Sequence, residues 1–192
     1  MACKSIMIVG VGGQGTLLAS RLLGRVFTDM GYDTKVSEVH GMSQRGGSVV
    51  TYVKYGDKVY SPVIDEGEAD LIISFEELEA ARWLPFLKPS GTIITSTQKI
   101  DPMPVITGSA QYPEEIVETL KENGISIIAL DALSLAEQAG SAKAVNLVLL
   151  GVAARQLDID KALWITAIQA TVPQKFLDMN LKAFKLGFHH SL

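Results

Sequence analysis

Residues 5–15 read SIMIVGVGGQG, and this stretch decides the fold of the chain. Its first half, residues 5–9, is a short apolar run rich in β-branched side chains, which is typical of a buried parallel strand. Its second half places Gly10, Gly12 and Gly15 in the G-x-G-x-x-G pattern, which joins a strand to a helix in nucleotide-binding folds. We therefore expect a strand, a tight glycine turn and a helix in this order.

The residues behind the glycines continue this pattern. Apolar side chains recur there at four-residue spacing and predict an amphipathic helix; they are Leu18, Leu22, Val26 and Met30. Gly31 is suited to end this helix because glycine adopts the left-handed conformation of a C-terminal cap. Residues 34–39 then have the composition of a second strand, so residues 5–39 form a β-α-β unit of the expected size.

The downstream segments extend the α/β pattern and interrupt it once. Residues 48–55 and 58–61 are strand-like and flank Gly56 and Asp57, which suit a two-residue turn, so they predict an inserted antiparallel hairpin. Further strands are predicted at residues 70–75, 92–96 and 125–130, and helices at 76–86, 113–123, 142–157, 160–169 and 173–186. The sequence thus predicts a single domain over residues 1–192. Its fold class is α/β, a Rossmann-like, doubly wound and mostly parallel sheet with an inserted β-hairpin and a C-terminal helical cluster.

The composition excludes several classes of protein. The net charge of −4 argues against an electrostatically driven nucleic-acid binder, which is usually basic. The lone cysteine, Cys3, cannot build a disulfide framework or an iron–sulfur cluster, which needs several cysteine ligands. No apolar run approaches the roughly 20 residues of a membrane-spanning helix, and the first apolar run is too short for a signal peptide. We expect a cytoplasmic protein with no nucleic-acid partner and no membrane partner.

The first candidate site is the glycine cradle, which consists of Gly10, Gly12, Gly13, Gln14, Gly15 and Thr16. Glycines allow a tight turn and the close approach of a phosphate, while the start of the helix supplies N–H groups and a partial positive charge. The hydroxyl of Thr16 adds a further polar group. Two interpretations stay open. The cradle binds an anionic cofactor, or it is a tight turn that binds nothing in this chain alone.

Glu38 lies near the end of the second predicted strand, roughly 20 residues after the glycines. In NAD-binding folds an acid at this place accepts hydrogen bonds from the ribose. The alternative is a carboxylate that orders its own loop through Arg45 or a neighbouring backbone group. The sequence allows both.

A polar loop follows Glu38 and forms the second candidate site. It reads HGMSQRGG and consists of His40, Gly41, Met42, Ser43, Gln44, Arg45, Gly46 and Gly47. Arg45 can clamp a carboxylate or a phosphate with two hydrogen bonds, and His40 can transfer a proton near neutral pH. Folding alone does not require this set of side chains, so we interpret the polar loop as functional rather than as a solvated connection.

Other groups of polar residues indicate no catalytic centre. Glu76, Glu77 and Glu79 are interpreted as the solvated face of one helix. The three histidines and the single cysteine have no zinc-binding spacing. The sequence also lacks the phosphate loop G-x-x-x-x-G-K-[ST] and the nucleophile elbow G-x-S-x-G. It therefore predicts no metal ligand and identifies no catalytic residue.

In combination, four motifs resemble one known family. They are GVGGQG at residues 10–15, EVHGMSQRGGS at 38–48, VNLVLLG at 145–151 and NLKAF at 180–184. Together they resemble the gamma-type subunits of the 2-oxoacid:ferredoxin oxidoreductases, and among these the indolepyruvate ferredoxin oxidoreductases, over essentially the whole chain. Either glycine motif alone is common, whereas the pair is specific.

The resemblance implies one subunit of a heteromeric enzyme. Such an enzyme oxidatively decarboxylates an aryl 2-oxoacid, chiefly indolepyruvate, with coenzyme A as cosubstrate, and yields an acyl-CoA, carbon dioxide and reduced ferredoxin. A larger alpha subunit is then expected to carry thiamine pyrophosphate and iron–sulfur clusters, while this chain alone holds no cofactor. The resemblance places the polar loop near the partner's thiamine site or the coenzyme A route, with Arg45 as the anion contact.

Three other functions stay open. The same role in an enzyme for pyruvate or a branched-chain 2-oxoacid fits these motifs, because substrate choice lies largely in the partner. The glycines and Glu38 also fit a stand-alone NAD(P)-dependent dehydrogenase. The last is a regulatory module that binds a nucleotide or coenzyme A and has no catalytic duty.

Overall fold

The computed structural model of the chain describes residues 3–39 and 47–190. Within them, six strands form one sheet in the order β2-β3-β1-β4-β5-β6. The strands are β1 (Lys4–Val11), β2 (Asp33–Glu38), β3 (Ser48–Gly56), β4 (Ala69–Ser74), β5 (Leu87–Ser96) and β6 (Ser126–Leu130). Strands β1, β4, β5 and β6 are parallel neighbours. The predicted α/β class with a mostly parallel, doubly wound sheet is confirmed.

Helices cover both faces of this sheet. They are α1 (Thr16–Asp29), α2 (Glu77–Arg82), α3 (Met103–Ile106), α4 (Ile116–Glu122), α5 (Ala132–Ala139), α6 (Val145–Gln156), α7 (Lys161–Thr171) and α8 (Gln174–Phe188), with short 3-10 turns at Leu84–Phe86 and Ala142–Ala144. The sequence predicts the three C-terminal helices to within a few residues but misses α5, which Asp131 caps by accepting a hydrogen bond from the backbone N–H of Ser134. No described helix is long and apolar enough to cross a membrane.

Strand β3 forms an antiparallel hairpin, but its partner strand is not the one that the sequence predicts. Strand β3 is antiparallel to β1 on one side and to β2 on the other, with Tyr55 opposite both Lys4 and Thr34. Because both of its edges are paired, β3 has no edge left for a strand at residues 58–61, and these residues are not a strand. The second arm predicted there is therefore wrong. The hairpin partner of β3 is β2, and β3 separates the two strands of the β-α-β unit.

The two sides of β1 show why the sheet forms. Ile6 and Ile8 point into a large apolar core with α1 and the C-terminal helices. Met7 and Val9 point into a smaller core on the opposite face. All four side chains are at most 1% exposed, so this strand is buried on both faces, as its continuous apolar sequence predicts.

Two tyrosines, the buried Tyr55 and the partly buried Tyr112, make the stability of this fold fall at alkaline pH. Burial raises the pKa of Tyr55 to about 12, and burial together with the hydrogen bond to Glu76 raises the pKa of Tyr112. Since an unfolded tyrosine has a pKa of about 10, the unfolded state loses these protons first as pH rises. The stabilisation is complete below about pH 10 and declines between about pH 10 and 12.

We therefore expect the urea midpoint to fall between pH 9 and pH 11.5, and to fall less in Tyr55→Phe. Tyr60→Phe is the control, because Tyr60 is 86% exposed. An alkaline decline of equal size in Tyr55→Phe and Tyr60→Phe would contradict this assignment.

Candidate functional site at the carboxyl end of the sheet

The glycine cradle forms the turn between β1 and α1. Gly13 and Gly15 have φ angles of 104° and 89°, which side chains rarely adopt. Gly15 occupies the N-cap position of α1, and a Cβ there would lie 3.1 Å from Nδ2 of Asn146. Backbone conformation therefore favours glycine at both positions, and close packing against Asn146 adds a second reason at Gly15.

Gln14 is held by the chain itself. Its Oε1 accepts a hydrogen bond from the backbone N–H of Val11 (2.7 Å), and its Nε2 donates to the carbonyl of Phe75 (3.0 Å) and to Oε1 of Gln98 (3.3 Å). These partners lie at the last residue of β1 and shortly after the ends of β4 and β5. In open α/β sheets a ligand usually enters the crevice at such strand ends. Here the Gln14 amide occupies part of it.

Two other glycines of the cradle serve close packing. A Cβ on Gly10 would lie 2.8 Å from Oε1 of Gln14 and 3.0 Å from Cβ of Phe75. The backbone N–H of Gly12 donates to the carbonyl of Gly47 at 2.9 Å. The cradle is thereby joined to the start of β3 and to the end of the polar loop.

The α1 cavity, as we call it, lies beside the cradle and has a volume of about 290 Å³. Its lining comprises Gly12, Gly13, Gly15, Thr16, Leu17, Glu38, Val39, Val49, Val50 and Thr51. Thr16 and Thr51 in this lining are buried, at 8% and 2% exposure.

Glu38 lies on the wall of the same cavity. Its Oε1 accepts a hydrogen bond from Oγ of Ser20 in α1 at 2.9 Å. Thr51 is its cross-strand neighbour in the β2–β3 pair, so the two side chains lie on the same side of the sheet. The tertiary structure thus brings Glu38 together with the glycine cradle, although β3 separates β2 from β1.

A second cavity of about 430 Å³ lies on the other side of the cradle. It is lined by Gly13, Gln14, Gly15, Gln98, Leu133, Ala142, Lys143 and Val145. Gly13 and Gly15 border both cavities, so the turn of the cradle is the wall between them.

The predicted residues His40, Gly41, Met42, Ser43, Gln44, Arg45 and Gly46 lie outside the described residues. The structure does describe where the polar loop leaves and rejoins the sheet. Before it, the N–H of Val39 donates to the carbonyl of Val50 at 3.2 Å. After it, the carbonyl of Gly47 is held by Gly12, and Oγ of Ser48 donates a hydrogen bond to Glu79. Both ends of the polar loop are therefore fixed next to the cradle.

The three glutamates that the sequence assigns to a solvated face are buried. Glu76, Glu77 and Glu79 are 1%, 4% and 4% exposed, so that assignment is wrong. Each of them has at least one partner in a distant part of the chain, which no helical pattern reveals. The available sequence signal is the spacing of Glu76 and Glu79, which matches a helix N-cap and its third residue.

Glu76 connects three segments with one carboxylate. Its Oε2 caps α2 by accepting from the N–H of Glu79 at 2.9 Å. Its Oε1 accepts from the N–H of Ile100 at 3.2 Å and from the hydroxyl of Tyr112. Residues 99–112 are thereby held at Glu76, close to the carboxyl end of β4.

Glu79 connects α2 to the start of β3. Besides Ser48, it accepts hydrogen bonds from Nε of Arg82 at 3.0 Å and from the indole N–H of Trp83 at 3.2 Å. A small cavity of about 180 Å³ adjoins these residues, with Gly47, Ser48 and residues 100–103 in its wall. Glu79 thus fixes α2 to Ser48, the residue that directly follows the polar loop.

Comparison with known proteins agrees with this fold and with these motifs. The model of the pyruvate ferredoxin/flavodoxin oxidoreductase family matches residues 5–190. The chain belongs to this family. The match covers the strands, the cradle and the C-terminal helices alike, so the resemblance noted from the motifs is confirmed.

Two relatives are similar over almost their whole length, and a third over about one third of it. The chain is 44% identical to indolepyruvate oxidoreductase subunit IorB of Pyrococcus horikoshii, over 95% of this chain and 93% of that protein. It is 42% identical to the protein of the same name from Thermococcus kodakarensis, with the same coverage of 95% and 93%. Ketoisovalerate oxidoreductase subunit VorA of Methanothermobacter marburgensis is 26% identical, and the matching region is 35% of that longer protein.

Two solved structures of oxoacid ferredoxin oxidoreductases share the fold. The gamma subunit of a keto/oxoacid ferredoxin oxidoreductase from Geobacter sulfurreducens superposes with a TM-score of 0.72 at 21% identity, covering 96% of both chains. The 2-oxoglutarate:ferredoxin oxidoreductase from Magnetococcus marinus gives a TM-score of 0.73 at 17% identity, covering 97% of this chain and 30% of that one. The fold therefore occurs both as nearly the whole of a chain and as part of a longer one.

Proposed function

We propose that the chain is the small subunit of an indolepyruvate oxidoreductase. The assembled enzyme decarboxylates indolepyruvate, transfers the acyl group to coenzyme A and passes two electrons to ferredoxin. Its products are indoleacetyl-CoA, carbon dioxide and reduced ferredoxin. The observation that carries this proposal is the near full-length identity of 44% and 42% to two proteins named as indolepyruvate oxidoreductase subunits.

The cofactors of this reaction belong to a larger alpha subunit in our proposal. Thiamine pyrophosphate supplies carbanion chemistry, and iron–sulfur clusters carry the electrons. The residues of this chain do not fit either group, because its one cysteine, Cys3, is exposed and no thiamine-type G-D-G…N signature occurs. We therefore assign this chain to docking and ligand contact, as one domain over residues 1–192 in a cytoplasmic complex.

Within that complex we assign the polar loop to the anionic ligand. Arg45 is proposed to contact a carboxylate or phosphate on the coenzyme A route or beside the partner's thiamine site, and His40 to add a hydrogen bond. The fixed ends of the polar loop at Gly47 and Ser48 support this assignment, because a contact loop acts best from a rigid base.

The identity values also rank the rival functions. The pyruvate/ketoisovalerate common subunit gamma of Pyrococcus abyssi is 24% identical, well below the indolepyruvate relatives, which favours an aryl 2-oxoacid over pyruvate. Against a stand-alone NAD(P)-dependent dehydrogenase stands Gln14, whose amide takes up part of the crevice that a dinucleotide would cross.

The proposal is tested by an anaerobic pull-down of this chain from its native extract. We expect a larger, brown partner and an eluate that reduces a redox dye only when both indolepyruvate and coenzyme A are present. A colourless lone chain that is inert to 2-oxoacids would overturn the proposal.

Replacing Arg45 by alanine is expected to lower kcat/KM of the reassembled complex about tenfold or more, because a bidentate contact of arginine to an anion contributes roughly 1.5–3 kcal/mol. Arg21→Ala, an exposed arginine on α1, is the matched control and should leave the rate unchanged. Equal rates for both variants, at equal thermal stability, would refute the role of Arg45.

A further inference from the structure

We propose that Met103 and Ile106 form the centre of the surface on which this chain docks to the larger subunit of its complex. The proposal rests on the proposed function, in which the larger subunit carries the cofactors and this chain must therefore bind it. It goes further by naming the face of the chain that is covered and the chemistry of the partner surface.

The surface belongs to a segment that does not take part in the packing of the domain. Residues 97–115 contain no buried residue, and no longer run of this kind occurs within residues 3–39 and 47–190. Neither apolar core includes a residue of this segment. Since holding a chain segment in one conformation costs entropy, its fixed position must serve something other than the core.

Polar bonds to the start of α2 nevertheless hold this segment in place. The N–H of Glu77 donates to the carbonyl of Gln98 at 3.0 Å. The carboxylate of Glu76 accepts from the N–H of Ile100 and from the hydroxyl of Tyr112. Glu76 is 1% exposed, and a buried charge is costly unless it is well bonded. A buried carboxylate is thus used to position an exposed segment.

The held segment presents apolar side chains to the outside. Met103 and Ile106 are 64% and 66% exposed, and among the large apolar side chains of the described residues only Tyr60 is more exposed. They stand three residues apart on α3 and so share one face of it, with the exposed Pro104 between them. Single exposed apolar side chains are common, whereas neighbouring ones mark interaction sites.

This apolar surface lies next to the ends of the polar loop. Met103 lines the same small cavity as Gly47 and Ser48, where the polar loop ends. Val39, which directly precedes the polar loop, is 55% exposed. Apolar surface therefore lies on both sides of the polar loop. A partner that covers Met103 and Ile106 also meets this loop, which the proposed function assigns to ligand contact in the complex.

The charges around the apolar centre are acidic. Asp101, Glu114 and Glu115 are exposed, and no ion pair of the described residues involves them. The one cation of the segment, Lys99, lies 4.0 Å from Glu77. The complementary partner surface is an apolar hollow with lysine or arginine at its rim, since interfaces have an apolar core, a polar rim and opposite charges.

The same charges argue against a second copy of this chain as the occupant. In a twofold dimer the same patch lies on both sides of the interface. Asp101, Glu114 and Glu115 would then face the same acids of the other copy, and like charges across an interface are unfavourable. The larger subunit has no such restriction.

The affinity of this chain for the larger subunit, measured with subunits separated from the purified complex, tests the apolar centre. We expect Met103→Ser and Ile106→Ser each to weaken binding about tenfold or more, as truncation of central interface residues does. Val63→Ser is the matched control, because Val63 is 51% exposed but lies in the connection between β3 and β4, at the opposite end of the sheet. All three variants should keep the midpoint of thermal unfolding.

The acidic rim is tested by charge reversal. Asp101→Lys should lower the association rate about tenfold at low salt, and this difference should shrink at high salt because ions screen exposed charges. Asp178→Lys, at an exposed position of α8, makes the same change in net charge and should leave the rate unchanged. Hydrogen exchange of residues 103–110 should slow at least about tenfold in the complex.

Three results would overturn this docking surface. The first is wild-type affinity of Met103→Ser and Ile106→Ser. The second is unchanged hydrogen exchange of residues 103–110 in the complex. The third is a dimer of the isolated chain, seen by light scattering, that Ile106→Ser dissociates, because the occupant would then be a second copy.

These measurements separate the docking surface from the proposed reaction, because affinity is measured without substrate. A complex that assembles through Met103 and Ile106 but does not oxidise indolepyruvate would refute the reaction and support the surface. A complex that oxidises indolepyruvate and whose affinity neither substitution changes would refute the surface alone.

Discussion

Gly187→Ala is expected to lower the free energy of unfolding by about 3 kcal/mol or more, which is the upper end of overpacking costs. In this family member α6 and α8 cross with their backbones in direct contact. A Cβ on Gly187 would lie 1.9 Å from the carbonyl oxygen and 2.7 Å from the carbonyl carbon of Val148. No rotamer can relieve this overlap, because the obstructing atoms are backbone.

Gly151 on α6 is restricted in the same way by the backbone of α8. A Cβ on Gly151 would lie 2.2 Å from the carbonyl oxygen of Phe184 and 2.6 Å from the backbone nitrogen of Phe188. Either substitution must push α6 and α8 apart and open the large core around them. We expect a decrease of about 6–12 °C in the midpoint of thermal unfolding for each, at roughly 2–4 °C per kcal/mol in a chain of this size.

The control is Gly24→Ala in α1, another glycine inside a helix. Its Cβ would meet only Cγ2 of Val36, at 3.3 Å, and alanine is about 1 kcal/mol better than glycine in a helix interior. We expect a change within about 1 kcal/mol for this variant. Urea denaturation of the three variants checks the comparison. If Gly187→Ala were as stable as Gly24→Ala, the close contact of α6 with α8 would be refuted.

Glu76→Ala is the second large effect, with an expected loss of about 3–5 kcal/mol, typical of breaking a buried charged network. The substitution removes the N-cap of α2 and leaves the hydroxyl of Tyr112 and the N–H of Ile100 without their acceptor. Both donors are partly buried, and each loses up to about 1–3 kcal/mol when its acceptor is removed. The cap adds about 1 kcal/mol.

A double-mutant cycle with Tyr112→Phe distinguishes this network from a simple loss of packing. Since the two groups share one hydrogen bond, we expect the double variant to be more stable than the sum of the single losses predicts, by about 1 kcal/mol or more. Glu118→Ala, an exposed glutamate on α4, should change stability by less than about 0.5 kcal/mol. Strict additivity in urea denaturation would contradict a direct bond between Glu76 and Tyr112.

The spacing of apolar residues was sufficient to predict a strand or a helix wherever the apolar side of that segment is the side that becomes buried. Residues 5–9 predict β1, and the four-residue spacing behind the cradle predicts α1, with Gly31 as its cap at a φ of 87°. The apolar sequence of α6 predicts a buried helix, and all residues from Val145 to Ala154 are buried. The motif pair in the cradle and the polar loop was sufficient to indicate the family.

Local pattern failed where the outcome depends on a distant partner. The sequence of residues 48–56 predicts a strand but does not indicate whether its neighbour is β1, β2 or a following strand. In the structure this strand is hydrogen-bonded to β1 on one edge and to β2 on the other. The predicted start of α4 at Pro113 is three residues early, because Glu115 has a left-handed φ of 56°.

The sequence by itself determined the fold class, the cradle and the family, because these follow from spacing within one segment. Only the tertiary structure decided that Glu76, Glu77 and Glu79 are buried, because each of them also bonds to a group in another segment of the chain. It also decided that Gln14 takes up part of the crevice and that Glu38, Thr16 and Thr51 share one cavity. A carboxylate or hydroxyl has the same pattern in sequence whether water or a distant backbone group satisfies it, and only the assembled sheet and helices make that choice.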